Sequence, residues 1–217
     1  MSDLLDDPIF STLDQILREG LSTLDLAIDD EAVDKMLRYI ALLQQWNKTY
    51  NLTSITDFPT MVTHHLLDSL SVSKYLEGRR FIDVGSGGGL PGIPLAIQLK
   101  NKEFSLLDSN GKKVRFLFQV KAMLQLANVS ELHHRVGEFR PEQGFDGVVS
   151  RAFSSLKDML LNTEHLLAPG GLFYAMKGRF PDKELSELPK GYMVQQALSL
   201  DVPNLDQERH LIIIKKT

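Results

Sequence analysis

The chain has 217 residues, of which 43% are hydrophobic, and its formal net charge is −4. This length allows one well-buried domain with a small additional subdomain, and no apolar run is long enough to span a bilayer. The absence of cysteine excludes disulfides, thiolate metal sites and cysteine nucleophiles. Because the first residues also lack the basic start and apolar stretch of a signal peptide, the sequence predicts a soluble cytoplasmic protein.

The charge is distributed unevenly along the chain. Residues 1–34 hold ten acidic side chains and one basic side chain, Arg18, which gives this arm a net charge of −9. Since the whole chain carries −4, residues 35–217 carry +5. A basic body is one cue for a polyanion-binding surface, although solubility alone also explains such a distribution.

Helices dominate the predicted structure before residue 76. Residues 9–19 and 31–47 place apolar side chains at three- and four-residue spacing, as amphipathic helices do. A third helix is predicted from residue 57 to about residue 75. We expect residues 1–76 to form a helical extension packed on a second domain, residues 77–217.

The third predicted helix carries two adjacent histidines, His64 and His65. Adjacent positions point to different faces of a regular helix, and metal sites use other spacings. The sequence therefore predicts no metal site here.

Residues 80–94 form the motif around which the rest of the chain is organised. An apolar run from residue 81 to residue 84 is typical of a buried strand. The glycines between residues 85 and 89 allow positive φ and keep side chains away from a bound group. Prolines at 91 and 94 are compatible with the first turn of a helix. The motif therefore predicts a strand, a glycine loop and a helix, which is the geometry of a nucleotide-type binding site.

The type of nucleotide has to be argued from the loop itself. Leu90 stands where the dinucleotide fingerprint has its third glycine, and no Gly-Lys-Ser/Thr sequence closes the loop. Asp83, inside the preceding strand, would repel a phosphate and could meet an ammonium or hydroxyl group. The acidic strand end with this glycine pattern resembles motif I of class I S-adenosylmethionine (SAM) methyltransferases. A glycine turn without a ligand is the alternative interpretation.

After the loop, predicted strands and helices alternate, as they do in a doubly wound parallel sheet. The predicted strands are 104–108, 131–136, 145–150 and 172–176, and the predicted helices are 111–127 and 156–167. Strands near 192–200 and 209–215 suit a terminal antiparallel hairpin. The predicted fold class is α/β, a Rossmann-like and mostly parallel seven-stranded sheet whose ligands bind beyond the carboxyl ends of the strands.

Two of these strand ends supply candidate cofactor ligands. Asp108 follows the glycine loop at the spacing of roughly twenty residues at which an acid accepts hydrogen bonds from ribose hydroxyls. A turn aspartate that caps the next helix is the alternative. Val136 and Gly137 end the third predicted strand, where class I methyltransferases usually hold the adenine.

Residues 150–153, Ser-Arg-Ala-Phe, end the fourth predicted strand and bear on the methyl acceptor. The Asn/Asp-Pro-Pro-Tyr/Phe tetrapeptide of enzymes that methylate exocyclic amines is absent, and methylation of pyrimidine C5 requires a cysteine that the chain lacks. The remaining acceptors include atoms with a free lone pair, such as guanine N7. Such an acceptor needs alignment and exclusion of water but no general base, so we predict no catalytic proton-transfer residue.

Several motifs together carry a resemblance to one family. They are residues 51–55, 65–69, 81–94, 107–109, 112–117, 150–153 and 176–178. In these motifs, which extend over nearly the whole chain, the sequence resembles the bacterial small-subunit ribosomal RNA methyltransferase G family, also called glucose-inhibited division protein B. The resemblance implies methyl transfer from SAM to N7 of one guanosine in 16S ribosomal RNA, either as RNA or within the small subunit or an assembly intermediate. It implies neither a metal nor a membrane.

The loop, the strand ends and the resemblance together give two sets of candidate site residues. The predicted SAM-binding residues are Asp83, Gly85, Gly87, Leu90, Asp108, Val136, Gly137 and Arg151. The predicted RNA-binding residues are Lys112, Lys113, Arg115, Arg151, Phe153, Lys177 and Arg179. Arginine binds phosphate or the O6 and N7 edge of guanine, and Phe153 could stack on a base; solvated surface charge is the alternative for each lysine. The family often has glutamate where this chain has Gly137, a difference that a backbone contact would survive.

Two other functions fit the same residues. A SAM-dependent enzyme that acts on a small molecule or a protein would turn over at a rate insensitive to salt, whereas phosphate contacts make RNA binding fall steeply as salt rises. A non-catalytic protein that binds RNA or an assembly partner would show RNA binding without methyl transfer.

Overall fold

The computed structural model describes residues 8–151 and 153–217, and within them the strands form a single seven-stranded sheet. The strands are β1 (Arg80–Val84), β2 (Glu103–Asp108), β3 (Val129–His133), β4 (Phe145–Ser150), β5 (Leu167–Lys177), β6 (Tyr192–Leu200) and β7 (Arg209–Lys216). Their order is β3-β2-β1-β4-β5-β7-β6. Strands β1 to β5 are parallel, and β7 is antiparallel to both β5 and β6. The predicted fold class, including the antiparallel C-terminal hairpin, is confirmed.

The described residues form eight α-helices. They are α1 (Pro8–Thr23), α2 (Asp30–Tyr50), α3 (Phe58–Met61), α4 (Asp68–Leu70), α5 (Gly92–Gln98), α6 (Gly111–Leu124), α7 (Leu156–Thr163) and α8 (Asp182–Ser186). A π-helix, Val62–Leu67, joins α3 to α4, and 3-10 turns follow at Ser73–Tyr75 and Glu164–Leu166. The third predicted helix is thus present, but its middle is a π-helix and its end is a 3-10 turn. None of the helices in these ranges is long and apolar enough to cross a membrane.

The sheet separates two hydrophobic cores. Helices α1, α2, α5 and α6 contribute to the larger core, where residues such as Met36 and Leu43 of α2 share one cluster with Phe81 and Leu106 of the sheet. Helix α7 covers the opposite face, where Leu160 joins a smaller cluster. The alternation of side chains along a strand supplies both faces with apolar residues, and the N-terminal helices therefore bury a face that the sheet would otherwise expose.

Strand β3 lies earlier in the chain than predicted, at Val129–His133 instead of 131–136. It ends at His133, which pairs with Asp108, the last residue of β2. Because β3 lies at the edge of the sheet and has only β2 as a neighbour, it has no ladder partner beyond that point. The predicted extension to Val136 is therefore wrong, and Val136 lies in a turn in which Glu138 N–H and Phe139 N–H donate to the Arg135 carbonyl.

Candidate functional site

The glycine loop connects β1 to α5 and is held against the end of β2. The N–H groups of Gly85 and Ser86 donate to the Leu107 carbonyl at 2.8 and 3.2 Å. Gly85, Gly87 and Gly89 have φ of 73°, 58° and 91°, a region that other residues rarely adopt. The predicted succession of strand, glycine loop and helix is confirmed.

The N-terminal helices support the loop from behind. The Tyr39 hydroxyl in α2 donates to the Gly88 carbonyl at 2.7 Å, and this hydrogen bond is buried. A Cβ atom at Gly88 would lie 3.0 Å from Leu43, also in α2. Helix α2 therefore fixes the loop both by a hydrogen bond and by close packing.

Asp83 lies under the loop with 1% of its surface exposed. Its Oδ2 accepts from Gly92 N–H at 2.9 Å, whereas its buried Oδ1 has no hydrogen-bond partner among the described residues. Burial raises the pKa of this carboxyl to about 7. Asp83 thus retains an unused polar atom next to the loop.

Asp108 connects the end of β2 to the same loop. Its Oδ2 accepts from Gly87 N–H at 3.0 Å and its Oδ1 from Asn110 N–H at 2.8 Å. Lys113 Nζ lies 3.8 Å from Oδ2. Each carboxylate oxygen can accept a second hydrogen bond. The residue that caps α6 is Asn110, whose side chain accepts from Lys112 N–H, so the alternative that Asp108 is the helix cap is wrong.

A cavity of about 520 Å³, the loop cavity, opens beside Asp108. Its lining residues lie at or just after the carboxyl ends of β1 and β2 and on the segments after β3 and β4: Val84, Gly85, Leu107, Asp108, Ser109, Lys113, His134, Arg135, Val136 and Phe153. The cavity combines apolar walls with one carboxylate. Phe153, predicted to contact RNA, lines this cavity.

A second cavity of about 660 Å³, the Asp68 cavity, lies between the N-terminal helices and the ends of β4, β5 and β7. At its wall, Asp68 accepts from Arg151 Nη1 at 2.9 Å and from Arg209 Nε at 3.0 Å. Arg151 Nη1 also donates to the His64 carbonyl at 3.1 Å. The predicted strand-end arginine is therefore paired, and it faces this cavity.

His64 and His65 both border the Asp68 cavity. They lie within the π-helix Val62–Leu67, whose turn is wider than that of an α-helix. Thr53 Oγ1 lies 2.9 Å from His65 Nε2, and burial lowers the pKa of His65 to about 4. The described residues contain no group of three or more ligands suited to a metal ion.

The remaining candidates occupy different environments. Leu90 is buried in the larger core. Gly137 is exposed, and a Cβ atom added there would have no other atom within 4 Å, so a larger side chain fits at this position. Lys177 borders the Asp68 cavity and is paired with Glu184 at 2.8 Å. Three basic residues of the predicted RNA set lie outside both cavities: Lys112, Arg115 and Arg179.

Sequence reasoning missed two residues of the Asp68 cavity, Asp68 itself and Arg209. Asp68 lies in the motif 65–69 that carried the resemblance, but nothing local indicated its partners. Arg209 is 141 positions further along the chain, and no pattern of neighbouring residues relates positions so far apart.

The sheet order, the glycine loop after β1 and the acidic residue that ends β2 define the fold of a class I SAM-dependent methyltransferase. Solved structures share this fold. A SAM-dependent methyltransferase from Thiobacillus denitrificans in complex with S-adenosyl-L-homocysteine superposes with a TM-score of 0.55 over 81% of this chain and 98% of that chain, at 13% identity. A second, from Geobacter sulfurreducens and also in complex with S-adenosyl-L-homocysteine, gives a TM-score of 0.54 over 82% and 98%, at 12% identity.

Residues 32–212 match the family model of GidB, the rRNA small subunit methyltransferase G. Two curated relatives carry the name ribosomal RNA small subunit methyltransferase G. The protein from Saccharophagus degradans is 53% identical over 90% of this chain and 88% of its own length, and that from Hydrogenovibrio crunogenus is 55% identical over 87% of each. The chain belongs to the rRNA small subunit methyltransferase G family, so the predicted family is confirmed.

Proposed function

We propose that this chain transfers a methyl group from SAM to N7 of a guanosine in 16S ribosomal RNA. One observation supports the proposal beyond family membership: Arg151 and Phe153, two positions apart after β4, border different cavities. The loop cavity suits a donor and the Asp68 cavity suits an acceptor, and the segment after β4 borders both.

The residues of the loop cavity fit SAM. The Asp108 oxygens can accept further hydrogen bonds from ribose hydroxyls, and Val84, Val136 and Phe153 provide apolar walls for an adenine. Asp83 does not line the cavity, but its Oδ1, next to the glycine loop, has no hydrogen-bond partner among the described residues. When bound, SAM supplies a methyl group on a positively charged sulfur. We propose that Asp83, Gly85, Gly87, Asp108, Val136 and Gly137 hold it, with Phe153 added from the cavity. The buried position of Leu90 favours a backbone role or a packing role.

The Asp68 cavity fits an acceptor that carries no proton. Guanine N7 has a free lone pair, so the chain's task is to align it and to exclude water. Burial lowers the pKa of His65, which borders this cavity, to about 4, so its imidazole is neutral at pH 7. A neutral imidazole keeps one N–H group but is too weak an acid to protonate N7 and block its lone pair.

Basic residues outside the cavities provide the contacts to the RNA backbone. Lys112, Arg115 and Arg179 lie on segments that follow β2 and β5, at the same edge of the sheet as both cavities. Contacts of this kind add affinity without sequence specificity and make binding sensitive to salt.

The experiment is transfer of labelled methyl from SAM to small-subunit RNA purified from cells that lack this gene. The RNA is then reduced and cleaved with aniline, which breaks the chain at 7-methylguanosine. We expect cleavage at one position. If a protein shown to bind SAM incorporates no label into free RNA or intact subunits, the function changes to methylation of a small molecule or protein, or to RNA binding alone.

A further inference from the structure

The charges around the Asp68 cavity do not balance. Asp68, whose side chain is 2% exposed, lies between Arg151 and Arg209, which are 28% and 17% exposed. One carboxylate therefore faces two guanidinium groups. The third cation at the wall, Lys177, is already paired with Glu184. Among the charged residues described at this cavity, one positive charge remains uncompensated, and such a charge in a partly buried site favours a bound anion.

The hydrogen-bond donors show where an anion would bind. Arg209 is held at Asp68 through its Nε, while its Nη1 and Nη2 donate to two exposed acceptors, the Glu208 carbonyl at 2.8 Å and Gln207 Oε1 at 3.3 Å. Because these two acceptors are exposed, an RNA phosphate can replace them. Arg151 contacts both Asp68 and the His64 carbonyl through Nη1, and its Nε and Nη2 have no hydrogen-bond partner in residues 8–151 and 153–217. Arginine binds phosphate through two parallel N–H groups. Asp68 therefore orients a guanidinium that still has donors to offer.

The deeper part of the cavity suits a nucleobase. His65 and His210 are 4% and 7% exposed, and Met176 and Leu200 add apolar surface. The volume of about 660 Å³ falls within the range of roughly 300–1,000 Å³ typical of small-ligand sites. An enzyme that modifies a base must take it out of the stack, and aromatic and apolar side chains then receive it.

We propose that the Asp68 cavity receives the extruded target nucleotide, with the base against His65 and His210 and the phosphate on Arg151 and Arg209. Asp68 is then a positioning residue, which acts through the two arginines, and Arg209 is a nucleotide-binding residue. The anion is a phosphodiester of RNA, whose single negative charge compensates the excess positive charge of the cavity. This inference rests on the proposed function, since it assigns a place to that reaction's acceptor.

The test compares Arg209→Gln with Arg38→Gln as a matched control. Arg38 forms a 2.7 Å ion pair with Asp34 in α2, outside both cavities. For Arg209→Gln we expect KM for small-subunit RNA to rise roughly tenfold or more, with SAM affinity unchanged within about twofold. The slope of log KM against log salt should become shallower by about 0.7 to 1, the effect of losing one phosphate contact. Arg38→Gln should behave as wild type in all three measurements.

A conservative variant separates charge from folding. Arg209→Lys keeps the positive charge, so it should retain the wild-type salt slope while KM rises less than in Arg209→Gln. Asp68→Asn should raise KM with SAM affinity kept, because Arg151 loses its support. Thermal melting shows which variants are folded, and where Arg209→Gln does not fold, Arg209→Lys and Asp68→Asn carry the test.

An Arg209→Gln variant that is folded and keeps the wild-type KM and salt slope would overturn the inference. So would a raised KM with an unchanged slope, because the contact would then not be to phosphate. Failure of the proposed function looks different: in that case the wild-type protein itself produces no 7-methylguanosine.

Discussion

At the scale of a single residue, we propose Asp108 as a ligand of SAM. Its carboxylate accepts from Gly87 N–H and Asn110 N–H and borders the loop cavity. We expect Asp108→Ala to weaken SAM binding by about tenfold or more, because hydrogen bonds to a charged group contribute roughly 1.5–3 kcal/mol. The free energy of unfolding should also fall, by roughly 1–3 kcal/mol, because Gly87 N–H and Asn110 N–H lose their acceptor. Isothermal titration calorimetry and urea unfolding measure the two quantities.

Asp108→Asn is the control for that variant, since it keeps one oxygen to accept from Gly87 N–H. Its SAM affinity should lie between those of wild type and Asp108→Ala. Unchanged SAM affinity in Asp108→Ala would remove this residue from the site.

The raised pKa of Asp83 makes the free energy of unfolding depend on pH. Burial raises its pKa to about 7 from 3.8, so the folded protein binds a proton more tightly than the unfolded chain does. The contribution of Asp83 to the free energy of unfolding is then fully present below about pH 4, and it is lost as the pH rises to about 7. Relative to Asp83→Asn, the wild-type free energy of unfolding should fall between pH 5 and pH 8. The fall should be a few kcal/mol at most, because one pKa unit corresponds to about 1.4 kcal/mol.

Urea unfolding of both proteins at pH 5 and pH 8 measures this difference. The comparison cancels the titration of the other groups, which the two proteins share. A difference in unfolding free energy that is the same at both pH values would show that Asp83 is ionised in the folded protein at pH 5.

At the scale of elements, the start of α5 packs unusually close to the sheet. A Cβ at Gly92 would lie 2.2 Å from Leu106 Cδ2 in β2 and 2.8 Å from Asp83 Oδ2 in β1. We therefore expect Gly92→Ala to lower the free energy of unfolding by roughly 1–3 kcal/mol, the usual cost of overpacking. Gly137→Ala, where no atom lies within 4 Å of the added Cβ, should leave it nearly unchanged. Equal stability of the two variants in urea would contradict the close packing of α5.

The helices and strands also show which features a local sequence pattern can predict and which it cannot. The alternation of strands and helices was predicted correctly because each element has its own periodicity and its own breaking residues. The end of β3 was predicted wrongly, because it depends on where the neighbouring strand β2 ends. The π-helix Val62–Leu67 was not predicted either, because no local spacing distinguishes it from an α-helix.

At the scale of the whole molecule, we propose that the described part of the helical extension, residues 8–76, unfolds together with the sheet domain that follows it. Leu43 of α2 is buried in the same cluster as the sheet residue Phe81. Trp46, the only tryptophan of the chain, packs on Phe116 of α6 with ring centroids 5.5 Å apart. Its fluorescence therefore reports contact between the extension and the sheet layer.

We expect urea unfolding followed by Trp46 fluorescence and by far-UV circular dichroism to give one coincident transition, the sign of a single cooperative unit. Leu43→Ala should shift both curves together and cost roughly 2–5 kcal/mol, whereas Leu161→Ala, at an exposed position, should shift neither. A fluorescence transition at lower urea than the dichroism transition would show that the extension unfolds on its own.

The sequence by itself determined the α/β fold, the family and the cofactor loop, since these depend on patterns of neighbouring residues: the apolar run before the loop, the glycines from 85 to 89 and Asp108 about twenty positions later. It also singled out Arg151 at the end of β4. Two of the predicted features extend outside the described residues. They are the acidic arm, over residues 1–7, and the tetrapeptide 150–153, at Ala152.

Only the tertiary structure decided how the Asp68 cavity is built. Asp68 meets Arg151 and Arg209 across 83 and 141 positions of the chain, and the same folding brings Phe153 to the loop cavity rather than to an exposed surface. Local periodicity fixes which face of an element is buried, but it does not specify which distant element covers that face. The ion pairs and cavities between elements therefore become visible only once the sheet order and the N-terminal helices are in place.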